Sequence, residues 1–245
     1  MKLESVKYFN FYKKNSQKCK LFILLFLFFL YLLPIILHFY DRDGLVFSFL
    51  KEDGIYEIVG ALVLLFGSFI FFYIFIKSLQ KRSKRLFFLF AGIFLFILFG
   101  EEISWGQRLF NIYTPEFISN INYQNEINIH NLKFFYKSTI NLFDKGINLI
   151  IFYFVFVTFL VNIFSVFKKW IDRLNIQTGS LFIALLILIS KEMNDITEGI
   201  FSIEKGVFDV YRVGEIFETS IELILFIFAL ECFFVFKNKV GKKLS

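Results

Sequence analysis

The chain has 245 residues, 57% of them hydrophobic and 20% charged, with a net charge of +6. A soluble domain carries about 25% charged and 45–50% apolar residues, so an ordinary water-soluble domain is excluded, the more so because the apolar residues stand in blocks. The basic residues flank those blocks instead of gathering on a soluble face, so they mark membrane topology and not a nucleic-acid partner. The 40 Phe residues accompany abundant Ile, Asn and Lys and scarce Ala, which reads as an A- and T-rich gene and not as an aromatic cofactor box.

An uncharged apolar run of about 18 residues or more is a spanning candidate. After a basic leader the first run covers 21–40, interrupted only by Pro34 and His38. It lacks a small-residue cleavage pattern and is expected to be a retained helix, not a signal peptide. The second covers 56–76 and starts beside Glu57. The third covers 86–105 and turns polar after Gly100, through Glu101, Glu102, Ser104, Trp105, Gln107 and Arg108. A connection over about 110–140 follows, expected to be an outer re-entrant or interfacial segment. The fourth run covers 146–167, with Asp144 just before it. The fifth covers 178–198 and ends polar, with Lys191, Asn194, Asp195 and Glu198. The sixth covers 214–236 and begins with Glu215, Glu218 and Glu222. No internal repeat or Gly/Ser or Pro linker interrupts this order. The expected architecture is a single domain over 1–245, an all-α polytopic membrane helix bundle of about six spans.

Lys and Arg set orientation. Eighteen lie in the leader, the second-to-third connection, the fourth-to-fifth connection and the tail, against eight in the alternate connections. Both termini are therefore expected in the cytoplasm, in a bacterial inner membrane. Cys19 and Cys232 fall on that reducing side and are expected to be free thiols. Acidic residues contribute little to topology, yet all but Glu4, Asp172 and Glu231 fall on the outer side. The third, fifth and sixth helices thus turn their polar ends the same way, which predicts one outward-opening cavity. Helical spacing puts Glu101, Ser104, Trp105 and Arg108 on one face of the third, Lys191, Asn194, Asp195 and Glu198 on one face of the fifth, and Glu215, Glu218 and Glu222 on one face of the sixth. Ionisable groups in a span cost roughly 2.5 to 3.5 kcal/mol at its centre and normally face the bundle interior.

In the outer connection, Thr114-Pro115-Glu116 reads as a helix start with a Thr cap. Beyond it Asn122, Gln124, Glu126, Asn128 and His130 alternate with mostly apolar neighbours. An extended segment puts all five on one face, whereas a helix aligns Asn122, Glu126 and His130. Either way Glu126 comes near His130, and the segment is expected to fold over the acidic cavity as a lid, anchored by Phe134, Phe135 and Tyr136.

The stretches Gly100-Glu101-Glu102-Ile103-Ser104-Trp105-Gly106-Gln107-Arg108-Leu109-Phe110, Thr114-Pro115-Glu116 and Asn122 to Leu132 resemble a family of uncharacterised bacterial multi-pass membrane proteins. The resemblance spans about thirty residues and implies a membrane fold without implying an activity. A fainter likeness joins Glu101-Glu102 and Arg108 to intramembrane CAAX-protease-like enzymes. That family's Arg follows its second Glu more closely and its later His-bearing helices have no counterpart here. Glu126 to His130 is fainter still in its likeness to ceramidase and progestin-receptor-like hydrolases, whose later His pair is absent.

The specific expectation is a membrane-embedded hydrolase or lipid-modifying enzyme, acting on a lipid or lipid-linked substrate at the outer face. Its catalytic candidates are Glu101, Glu102, Glu126 and His130. Arg108, Gln107, Trp105, Asn128, Asp195 and Glu198 would bind substrate or form a structural network. Glu215, Glu218 and Glu222 are candidate ligands for a divalent metal ion, although no H-E-x-x-H motif accompanies them. A cation or proton transporter and a non-catalytic structural or partner-docking protein are the alternatives.

Overall fold

The computed structural model describes residues 2–40, 43–51, 53–77, 82–122, 125–129, 132–134, 156, 181–202 and 214–243. The expected span over 146–167 therefore lies, but for Phe156, outside the described residues, as do Gln124, His130 and Asp144.

Long apolar blocks satisfy their backbone groups internally by coiling, which is what a bilayer demands. The described elements are α1 (Lys2–Phe39), α2 (Asp43–Leu50), α3 (Ile55–Lys77), α4 (Arg82–Glu102), a 3-10 turn (Ser104–Gly106), α5 (Gln107–Phe110), α6 (Glu116–Ser119), α7 (Leu181–Ser202) and α8 (Gly214–Lys243). No strand occurs among the described residues, only an isolated antiparallel bridge between Asn122 and Leu132. The fold is all-helical. Among the described residues three stretches are long and apolar enough to cross a membrane: Leu21–Phe39, Gly44–Lys77 (through α2 and α3) and Gly214–Lys237.

Helix α2 departs from the sequence reading, which left this stretch as part of an outer connection. Its eight residues are too few to span, but they make two turns that bury Val46 and Leu50 where α2 packs on α1 and α3.

Helix α3 is the centre of the bundle and packs most extensively on α4 and α8. Its buried face, Tyr56, Gly60, Leu64, Gly67, Phe71 and Ile74, follows the helical period. Small residues there matter because apolar packing between helices in lipid gains no hydrophobic drive, so close approach and hydrogen bonds hold the bundle. Helix α3 runs antiparallel to α4: the Ser68 hydroxyl donates to the Gly92 carbonyl at 2.9 Å and Arg85 Nε donates to the Phe75 carbonyl at 3.1 Å. It runs parallel to α8, with Gly60 beside Glu222, Gly67 beside Phe226, and Tyr73 beside Phe233 and Phe236.

Helix α7 packs on α8 and α1. The Tyr31 hydroxyl donates to the Ser190 carbonyl at 2.9 Å and the Tyr56 hydroxyl donates to the Leu30 carbonyl at 2.5 Å, tying α1 to α7 and α3. The outward sides of α1, α3 and α4 expose Phe22, Phe29, Phe66, Phe69 and Phe90, a surface suited to lipid tails. These directions bring the start of α3, the end of α4 and the start of α8 to one end of the bundle, where the polar residues gather.

Candidate functional site

Helix α4 stops at Glu102, and the chain then turns sharply. Ser104, Trp105 and Gly106 take positive φ of 46°, 53° and 79°. For residues with a Cβ this conformation costs roughly 1–2 kcal/mol each, so the turn needs compensating bonds. It corrects the expectation of one continuous helical face over Glu101, Ser104, Trp105 and Arg108. The bonds are present. Trp105 folds back over Gly100, where a Cβ would collide with the indole ring, and its Nε1 donates to Glu101 Oε1 at 2.8 Å. Ser104 Oγ donates to Glu126 Oε2 at 2.5 Å, 22 residues along the chain.

The outer segment wraps onto this turn. The Ile129 amide donates to Glu101 Oε2 at 2.5 Å, and the Ile127 amide donates to Gln107 Oε1 at 2.6 Å. Asn128 Nδ2 donates to Glu126 Oε2 at 2.8 Å, while Asn122 Nδ2 donates to the Asn128 carbonyl at 3.0 Å. Gln107 Nε2 donates to Thr114 Oγ1, and that hydroxyl donates to the Asn125 carbonyl. Thr114 is therefore not the helix cap the sequence suggested. Helix α6 starts at Glu116 behind Pro115 with no side-chain cap, because the hydroxyl is committed to the loop. Between the bridged Asn122 and Leu132, the described residues 125–129 are neither regular strand nor helix. Asn122, Glu126 and Asn128 are all buried, as the alternation implied for them. The result is a closed polar knot, in which Glu101 and Glu126 are each held by protein donors.

A second carboxylate set lies at the same end. Glu222 of α8 is only 7% exposed and occupies the notch left by Gly60 of α3, where a Cβ would overlap its carboxylate. Glu102, Glu218, Glu215 and Glu57, in falling order of influence, all lie within electrostatic reach of it. No described residue donates a hydrogen bond to Glu222. Glu57 itself accepts the Asp53 amide at 2.8 Å, which fixes it at the start of α3. Inward of Glu222 the described core is mostly apolar, with Leu64, Phe71, Ile74 and Phe228 buried, and the buried Ser68 hydroxyl is bonded to the Gly92 carbonyl.

The expected catalytic residues are thus divided. Glu101 and Glu126 belong to the knot, Glu102 faces the Glu222 set, and His130 lies outside the described residues. Gln107, Trp105 and Asn128 are knot residues, and Arg108 lies in α5. The expected meeting of three acidic faces is met by α4 and α8, joined by α3 in place of the fifth expected span. Asp195 of α7 is exposed and acts on Tyr31, and Glu198 accepts a 2.7 Å bond from Asn194 Nδ2. The reason is the packing of α7 on α1 and α8. Glu215, Glu218 and Glu222 share a helix but not an environment, since Glu218 is exposed and Glu222 buried. Among the described residues no group of three or more His, Cys, Asp or Glu is placed to hold a metal ion. Sequence reasoning missed Gly60 as the seat of Glu222. Its signal was a Glu and a small residue one turn apart at the start of an apolar run, Glu57 and Gly60. Comparison with protein-family models, curated proteins and solved structures finds no match.

Proposed function

We propose that the chain is a bacterial inner-membrane protein crossing the bilayer six times with both termini in the cytoplasm. We further propose that Glu222, with Glu102 and Glu57, forms a membrane-embedded acid–base centre that hydrolyses or modifies a lipid or lipid-linked substrate at the outer face. The topology rests on the Lys and Arg distribution and is supported by helix direction: α3 and α8, the second and sixth spans, run parallel, and α4 runs against them. Helices α4 and α7, of 21 and 22 residues, have the length a span requires.

The observation that carries the chemical reading is the Glu222 carboxylate, buried in a glycine notch among four other carboxylates and accepting no hydrogen bond from a described residue. Burying such a group is costly unless it gains a partner, and an unsatisfied one is available to a substrate or an attacking water. One carboxylate of the set would take the proton of the water and a neighbour would return a proton to the leaving group. The apolar core inward of Glu222 supports a site reached from outside over a conduit through the membrane. The reading requires no metal ligand beyond these residues.

The test is a lipid profile by mass spectrometry of membranes from a deletion strain carrying wild-type protein, Glu222→Gln or Glu126→Gln. Wild type is expected to change the abundance of at least one lipid or lipid-linked species, and Glu222→Gln to abolish that change. If no species differs between deletion and wild type, the enzymatic reading is wrong.

A further inference from the structure

The described residues from Leu109 to Phe134 bury part of their polar set and expose most of their large apolar one. Asn122 is 1% exposed, and Glu126 and Asn128 are buried with it against Ser104, while Asn111, Glu116, Asn120 and Asn125 stay exposed. The large apolar side chains point outward: Tyr113 is 94% exposed, Phe110 76% and Phe117 70%, with Ile129 and Phe134 also exposed. In water this is the wrong arrangement, since large contiguous apolar patches are rare on soluble surfaces. Within a bilayer it is the required one, because backbone and side-chain polar groups at that depth must be satisfied within the protein.

We propose that this segment is seated in the apolar layer of the outer leaflet, with the polar knot as its own core and Phe110, Tyr113, Phe117 and Ile129 in contact with lipid. Three observations select lipid over a protein partner. Helix α4, which leads into the segment, itself exposes Phe90, Phe94 and Ile97. Tyr113 and Trp105 are the aromatic types that favour the membrane interface. And of the two carboxylates in the described segment Glu126 is turned into the knot, while Glu116 stays exposed. The arrangement also explains why so long a connection carries few exposed charges. The proposal is independent of the chemistry assigned to Glu222.

Spin labels test it. Single cysteines at 113, 117 and 129, in a Cys19→Ser/Cys232→Ala background of the full chain, are labelled with a nitroxide and reconstituted in phospholipid nanodiscs. Power saturation is then measured with oxygen, which concentrates in lipid, and with a nickel chelate, which stays in water. These side chains touch the knot least, so labelling leaves the fold intact, and a label at 90 on α4 provides the lipid-facing reference. The expected result is oxygen accessibility above nickel accessibility at all three sites, approaching the value at 90. Nickel accessibility above oxygen at these sites places the segment in water and overturns the proposal. Labels immobilised and reached by neither reagent show a covering protein or second copy, and overturn it equally.

Discussion

Two sets of buried carboxylates lie at the same end of the bundle and differ in one respect. Glu101 and Glu126 are held by the Trp105 indole, the Ile129 amide, the Ser104 hydroxyl and the Asn128 amide. Glu222 sits in the Gly60 notch facing other carboxylates. The difference separates cohesion from reactivity. A buried polar network whose members are paired rigidifies its surroundings, whereas an unpaired buried group is a standing cost. The motif residues that stand out in the sequence thus read as the clamp, and the proposed chemistry falls to Glu222, which stands out less.

Activity gives the largest contrast. Glu222→Gln is expected to lower turnover of the lipid substrate by about 10²–10⁴-fold, the usual contribution of an acid–base group. Its stability should stay within about 1 kcal/mol of wild type, since removing a charge relieves repulsion by its neighbours. Reversible unfolding in bicelles, run beside the lipid assay, checks both. A strongly destabilised Glu222→Gln would move this residue into the clamp.

Glu101→Ala should do the opposite. Removing bonds to a charged acceptor costs about 1.5–3 kcal/mol each, so loss of the indole and Ile129 contacts is expected to destabilise by about 3–6 kcal/mol. The same unfolding measurement applies. A loss under about 1 kcal/mol would show that the knot does not hold the outer segment.

Gly60→Ala tests the notch itself. Overpacking typically costs about 1–3 kcal/mol, and the added methyl should displace the Glu222 carboxylate and reduce turnover. Pairing it with Glu222→Ala should recover much of the stability, a coupling that a double-mutant cycle measures. Additive costs would mean that the two residues do not share the space.

Trp105→Phe is expected to change stability and leave activity alone. The ring can still cover Gly100 while one hydrogen bond to Glu101 is lost, at about 1.5–3 kcal/mol before the vacated acceptor finds another donor. Lipid turnover should be unchanged, and a loss comparable to that of Glu222→Gln would put Trp105 in contact with substrate.

Much of this was legible in the residues. The apolar blocks located α1, α3, α4, α7 and α8 because a bilayer leaves a hydrophobic run of that length little choice but to coil. Alternation correctly placed Asn122, Glu126 and Asn128 on one buried side. The continuous face through Ser104 and Arg108 was misread because helical spacing assumes an unbroken helix. Three successive left-handed residues, stabilised by partners more than twenty positions away, leave no periodic trace. Helix α2 was missed because so short a helix, eight residues long, gains its helical state only by packing.

The sequence by itself determined the helical fold and the apolar blocks compatible with a membrane protein, since these follow from composition and from period along a single chain. Only the tertiary structure decided which carboxylates meet donors among the described residues. Glu101 and Glu126 owe their partners to a turn that folds distant residues together, and Glu222 owes its burial to a missing Cβ on another helix. Contacts between elements set the local dielectric and the supply of donors, and neither can be read from one strand of spacing.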